Sequence, residues 1–191
     1  MRVYRVFTFD PGAKPGTAGH PDYLHRPQGS GRLDNPSSYD VWYYAAVAEA
    51  AVGEVFGDLP VWSAGMFTTP FLPSGRRSLG VFDLDDDIRL LDLDDATVLR
   101  DRGLRPTEVV VRNSAVTKTW AKLIFDERDV RGQRAWDGVR WWSYWKPHWT
   151  VFGVWTEPEQ PAPHRLVEAE RLELVHPAVI AARLALVRPM R

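Results

Sequence analysis

The stretch that most constrains this chain is Tyr39 to Phe56, YDVWYYAAVAEAAVGEVF. Asp40 to Tyr44 is rich in β-branched and aromatic residues and reads as a short strand. Ala45 to Phe56 has high helix propensity despite Gly53, so the strand turns directly into a helix with Tyr43 at the junction. On a helical wheel Ala48, Ala51, Val52 and Val55 share one arc, spaced i, i+3, i+4, i+7. Glu49 and Glu54 fall on opposite flanks of that arc. Periodicity treats the two carboxylates alike, as solvated charges or as functional groups.

At 191 residues with 45% hydrophobic content the chain can bury a real core, and one domain over residues 1–191 is the expectation. Twenty-four basic residues against 25 acidic ones leave no net field to attract nucleic acid or an anionic membrane, so direct contact with either is not expected. The absence of cysteine removes disulfides, a thiolate nucleophile and cysteine-ligated metals. MRVYRVFTFD has no basic segment followed by an apolar run, and no apolar stretch approaches the ~20 residues of a membrane span. A cytoplasmic location follows as the expectation.

Val3 to Phe9 alternates and reads as an opening strand carrying Arg5. Residues 10–38 are dense in Gly, Pro, Ser and Asp and have almost no apolar periodicity; so long a loop in a compact domain is commonly functional or disordered. Its Gly29-Ser30-Gly31-Arg32 lies just ahead of the strand–helix unit. Residues 57–78 look irregular. Leu79 to Leu84 and Ile88 to Leu93 read as strand fragments around acidic turns. The aspartates at 83, 85, 86, 87, 92, 94 and 95 lack the glycine and terminal glutamate of an EF-hand, which favours solvated turns and helix caps over calcium. Asp94 or Asp95 would cap a helix to about Arg102, ended by Gly103. A second helix starts at Asn113 or Ser114, with Val116, Trp120, Leu123 and Ile124 marking its buried face.

Gly138 to Trp145 and Trp149 to Trp155 form an expected hairpin around Lys146-Pro147-His148. Its first strand places Val139, Trp141, Ser143 and Trp145 on one face, a hydroxyl in a row of indoles. Glu157 to His164 is a proline-rich connector, Arg171 to Val175 a last strand, and Pro177 opens a helix to about Leu186. This irregular order favours an α+β fold over βαβ repeats.

Several sites are excluded by pattern: no P-loop, no GxGxxG between strand and helix, no HExxH and no GxSxG. The histidines at 20, 25, 148, 164 and 176 lack metal-ligand spacing and read as surface or loop residues. No metal is expected.

An ordered set of short pieces resembles the RES domain family, toxins of bacterial toxin–antitoxin pairs. The pieces are Tyr4-Arg5; Gly31-Arg32 followed by Asn35; Tyr43 with Ala45; Glu54 eleven positions after Tyr43; Val116-Thr117 with Trp120-Ala121; and Asp137-Gly138-Val139 leading to Ser143. The chain departs from the family's usual pattern at Ser30, where a glycine is common, at Leu33, where an aromatic is common, in the later position of the asparagine, and at Tyr144, where arginine usually follows the serine. The resemblance implies mixed sheets with flanking helices around an NAD cleft, similar to ADP-ribosyltransferases, and attack on NAD⁺ at the nicotinamide–ribose bond. It implies Glu54, Arg32, Tyr43 and Ser143 as catalytic residues, with Arg5, Arg32, Tyr43 and Ser143 binding substrate. The spacing from Tyr43 selects Glu54 over Glu49. NAD⁺ would be substrate, and a helix-turn-helix, Xre-type antitoxin the partner, in a complex that can be oligomeric.

The acceptor stays open: water would make a glycohydrolase, phosphate a phosphorylase and a protein side chain an ADP-ribosyltransferase. A reading from another class is a binding module whose tryptophan-rich hairpin stacks on carbohydrate or protein. An exposed row of indoles would favour that module; buried indoles favour the enzyme.

Overall fold

A computed structural model describes residues 1–158 and 160–191. Its contacts gather the chain into two units, each assembled from separated segments: residues 1–25, 44–84 and 164–191 in the first, and 26–43 and 85–163 in the second. The architecture is α+β. Seven strands are hydrogen-bonded in the order β4-β5-β6-β2-β1-β3-β7.

In the first unit β1 (Arg2–Phe9) runs antiparallel to β3 (Arg76–Leu84), with Arg5 opposite Gly80 and Val3 opposite Phe82. β7 (His164–Arg171) adds antiparallel to β3, with a register shift between Val81 and Phe82. α1 (Ala48–Phe56) packs on β1 and on α5 (Pro177–Leu186). Val3, Val6, Phe56, Phe67, Phe82 and Val179 are buried here, each apolar side chain contributing on the order of 1.5–3 kcal/mol. Residues 10–25 run as successive turns, Ala13 N–H to Asp10 C=O, Thr17 to Lys14, His20 to Thr17 and Tyr23 to His20, each at 3.0 Å.

The second unit holds β4 (Leu90–Asp92), parallel to β5 (Gly138–Trp142), and β6 (Thr150–Thr156), antiparallel to β5. β2 (Asp40–Ala45) contributes its first four residues to this unit and its last two to the first. The helices are α2 (Ala96–Asp101), α3 (Pro106–Val110) and α4 (Ser114–Asp126). Asp95 caps α2 through its side chain and Gly103 follows at φ 63°, the left-handed conformation glycine favours. Asn113 caps α4.

Several elements differ from expectation, each for a physical reason. α1 starts at Ala48, and its buried side is Ala50, Ala51, Val52, Gly53 and Phe56, leaving Val55 exposed. α4 buries Thr117, Trp120, Ala121, Ile124 and Phe125, while Leu123 is 65% exposed. In each helix the buried arc is rotated toward an aromatic side chain outside the expected set: Phe56 packs on Trp62 and Phe67, and Phe125 on Tyr39 and Trp155. The last strand is His164–Arg171, not Arg171 to Val175, and it cuts the connector short. As an edge strand bonded only to β3 among named strands, its sequence HRLVEAER needs no apolar alternation. α3 carries a signal the pattern reading passed over: Pro106 in the first turn, and Glu108 returning its carboxylate to the Arg105 N–H at 2.8 Å.

Candidate active site

Arg32 sits in a turn whose shape is dictated by side chains. The Asp34 carboxylate, 4% exposed, accepts from the Gly31 N–H through Oδ2 at 2.7 Å and from the Tyr43 hydroxyl through Oδ1 at 2.7 Å. The same hydroxyl accepts from the Leu33 N–H at 2.9 Å. Tyr39 donates to the Leu33 carbonyl at 2.8 Å, and Asn35 Nδ2 donates to Leu33, to Tyr39 and to the Lys118 carbonyl. α4 closes the turn from its other side: Thr117 Oγ1 donates to the Arg32 carbonyl at 2.5 Å, and Lys118 Nζ to the Gly29 carbonyl at 2.7 Å. Leu33 is fully buried against Gly153 of β6, where a Cβ would collide with its methyl group. Gly31 is equally obligatory, since a Cβ there would lie 2.5 Å from the Tyr43 oxygen and nearer still to Asp34.

The Arg32 guanidinium is half-buried and donates through Nη2 to the Val109 carbonyl at the end of α3. Tyr43 is half-buried, and burial, reinforced by Asp34, holds its phenol well above the ordinary range. Its hydroxyl is therefore a neutral donor and acceptor at working pH. Upstream, the loop is ordered by Arg26, which grips Asp40 through two nitrogens, and by Gln28, which pairs both amide atoms with the Val41 backbone.

Ser143 lies in the same unit just beyond β5, on the strand two places from β2. It is 2% exposed; its N–H donates to the Trp149 carbonyl at 2.7 Å, and its Oγ accepts from the Trp145 N–H at 3.0 Å. The hydroxyl among indoles thus serves the turn from residue 143 to 149. Next to it Tyr144 is 47% exposed, and the Arg112 guanidinium stacks 4.5 Å from its ring centre and 5.3 Å from that of Trp145. Trp141, Trp149 and Trp155 are buried, so no continuous row of indoles faces solvent.

Arg5 and Glu54 belong to the first unit. Glu54 is exposed on α1, whereas Glu49 is half-buried. Arg5 shares a face of β1 and β3 with Phe7 and Phe82, over Gly80, which has no side chain to occupy the space. Burial lowers the pKa of its guanidinium, with Tyr44 opposing the shift. The Tyr44 hydroxyl lies 2.5 Å from His164 Nδ1, and Asp22 Oδ1 lies 3.6 Å from Nε2. His164 is therefore not a surface residue: its side chain has no exposure, and burial, followed by the Arg5 charge, brings its pKa down to about 3. Asp22 is half-exposed and does not offset those effects.

Arg32 and Tyr43 are thus joined through one turn, while Ser143 follows β5, which β6 separates from β2 in the strand order. Sequence reasoning passed over Asp34, whose carboxylate ties Gly31 to Tyr43. Its signal was the aspartate three residues after a glycine in a turn-rich segment. Among the described residues, no group of three or more His, Asp or Glu side chains could hold a metal ion, and no helix is long and apolar enough to cross a membrane.

The RES domain family matches residues 2–176. No curated protein matches the chain. Among solved structures, the chain is similar to one described as the crystal structure of the M. tuberculosis MbcT–MbcA toxin–antitoxin complex. The TM-score is 0.54 at 16% identity, covering 90% of this chain and 83% of that one.

Proposed function

The chain belongs to the RES domain family, and from that premise we propose that it is the toxin of a toxin–antitoxin pair and consumes NAD⁺ by breaking the nicotinamide–ribose bond. The observation that carries this reading is the family match over residues 2–176, within which Arg32 stands on a turn built by buried side chains. The similarity to a toxin of a toxin–antitoxin complex supports it.

The chemistry suits one carboxylate. Nicotinamide leaves as a neutral base from a cationic ring, so no general acid is needed, where ordinary glycosidases use two carboxyl groups. Glu54 hydrogen-bonds the ribose hydroxyls and stabilises the oxocarbenium-like transition state. Arg32 offers its planar guanidinium to pyrophosphate oxygens, a fork that matches phosphate. Arg5 is the second candidate for that charge. Tyr43 presents its ring to nicotinamide or ribose while its hydroxyl fixes the turn, and Ser143 supplies a hydrogen bond. The buried indoles weigh against the carbohydrate-stacking module.

The test is nicotinamide release from NAD⁺ by the purified chain with water, phosphate or an acceptor protein. The acceptor that supports release distinguishes glycohydrolase, phosphorylase and ADP-ribosyltransferase. No release with any of the three sinks the activity, and undiminished release from Glu54→Ala sinks the residue assignment. Growth arrest on expression, relieved by a helix-turn-helix protein encoded beside it, is the cellular counterpart.

A further inference from the structure

α5 is apolar on both sides. Of its ten residues, PAVIAARLAL, only Arg183 is charged. Ala178, Val179 and Ala182 are buried, and the helix packs on α1. The other side carries Ile180, Leu184 and Val187 at i, i+4, i+7, with exposures of 39%, 61% and 84%. A helix apolar all round normally has both sides covered.

The residue ending the helix makes the exposure harder to explain from this chain alone. Val187 adopts φ 53°, ψ 51°, the left-handed cap conformation that glycine occupies without strain and a β-branched residue rarely takes. Its side chain packs on little of its own chain, so the isolated protein gains almost nothing to offset the strain. Beside it, Arg183, Leu184, Val187, Arg188 and Pro189 line a groove of about 330 Å³. The floor is fixed: the Trp62 N–H donates to the Pro189 carbonyl at 2.9 Å, the Arg191 N–H to the Trp62 carbonyl at 3.0 Å, and Arg188 to the Gly57 carbonyl at 2.7 Å. Residues 177–191 contain three arginines and no Asp or Glu. The Arg183 head group donates to the Arg188 carbonyl across a long 3.5 Å.

We propose that this groove docks an acidic amphipathic helix of a partner protein, whose apolar side chains cover Leu184 and Val187 while its carboxylates meet Arg183. A second copy fits poorly. Two-fold pairing of this face would bring arginines toward arginines with no carboxylate in the lining to meet them. The proposal does not depend on the NAD⁺ chemistry, and its test contains none.

The full chain, without NAD⁺, is titrated calorimetrically with two synthetic amphipathic peptides of identical leucine face, one flanked by glutamates and the other by lysines. Amide shifts then locate the site. The glutamate peptide is expected to bind about tenfold or more tightly than the lysine peptide, with shifts centred on residues 180–189. Leu184→Asp and Arg183→Glu should each weaken it by about tenfold or more. Val187→Gly should raise Tm by about 2 °C while weakening the peptide, separating docking from folding. The proposal is overturned if neither peptide binds, if both bind equally, if the shifts lie elsewhere, or if Val187→Gly binds like wild type. A dimer abolished by Leu184→Asp would also overturn it.

Discussion

Replacing Tyr43 by phenylalanine keeps the ring and removes one oxygen, which isolates the role of the hydroxyl in shaping the arginine turn. That oxygen donates to the buried Asp34 carboxylate at 2.7 Å and accepts from the Leu33 amide at 2.9 Å. A hydrogen bond to a charged group contributes about 1.5–3 kcal/mol, and an amide left buried without an acceptor costs about 1–3 kcal/mol. The two losses share one network and do not simply add, so the expected destabilisation is about 3 kcal/mol. For a chain of this size each kcal/mol moves Tm by about 2–4 °C, giving a fall of about 6–12 °C by calorimetry. Native-state hydrogen exchange at Gly31 and Leu33 should accelerate with it. Asp34→Asn alone should cost a similar amount, and the double variant less than the sum. A Tm for Tyr43→Phe within about 1 °C of wild type, with unchanged exchange at Leu33, would refute the account of the turn. Tyr43→Leu then separates the ring: extra loss of nicotinamide release beyond that of Tyr43→Phe measures the stacking role.

Gly31→Ala places a methyl group 2.5 Å from the Tyr43 oxygen and should destabilise by about 2–3 kcal/mol; a denaturant midpoint equal to wild type would contradict the packing. His164 has a folded pKa of about 3 against an unfolded value near 6.5, so the unfolded chain binds the extra proton between those values. Its contribution is therefore fully present above pH ~6.5 and is lost as pH falls toward 3, with a limiting slope of about 1.4 kcal/mol per pH unit. His164→Gln should flatten stability against pH in that window, and parallel curves for the two proteins would count against it. Glu54→Gln, at an exposed position, should leave stability within about 0.5 kcal/mol while lowering nicotinamide release by about a hundredfold or more. A large drop in Tm would make it a structural residue instead.

Local chemistry made much of the fold legible. Caps at Asp95 and Asn113, the stop at Gly103, the proline opening α5 and the hairpin of β5 and β6 all act within a few residues, and all lie where their sequences point. The misreadings share a different cause. Val55 and Leu123 are exposed because each helix is rotated toward a buried ring, Phe56 in α1 and Phe125 in α4, whose partners lie elsewhere in the sequence. β7 carries no alternation because an edge strand is specified by its partner β3 rather than by its own pattern. His164 could not be read as buried, since the groups that enclose it, Tyr44, Phe82 and Asp22, lie 80 or more positions away. The turn around Arg32 was legible as a polar loop, but the departure at Leu33 had no explanation in sequence. Gly153, 120 positions later, supplies the space it fills.

That turn has a further consequence for binding entropy. Gly31, Arg32, Leu33, Asp34 and Asn35 form a segment that would sample many backbone conformations if left to itself. Fixing a residue's backbone costs about 1–2 kcal/mol, so five such residues represent on the order of 5–10 kcal/mol. Tyr39, Tyr43, Thr117 and Lys118 hold the segment through bonds formed when the protein folds. On the proposed function, a phosphate arriving at Arg32 has only the end of one side chain to order. The affinity it realises is spared the ordering of a loop, and a variant that loosens the turn should weaken substrate binding through entropy while leaving every contacting atom in place.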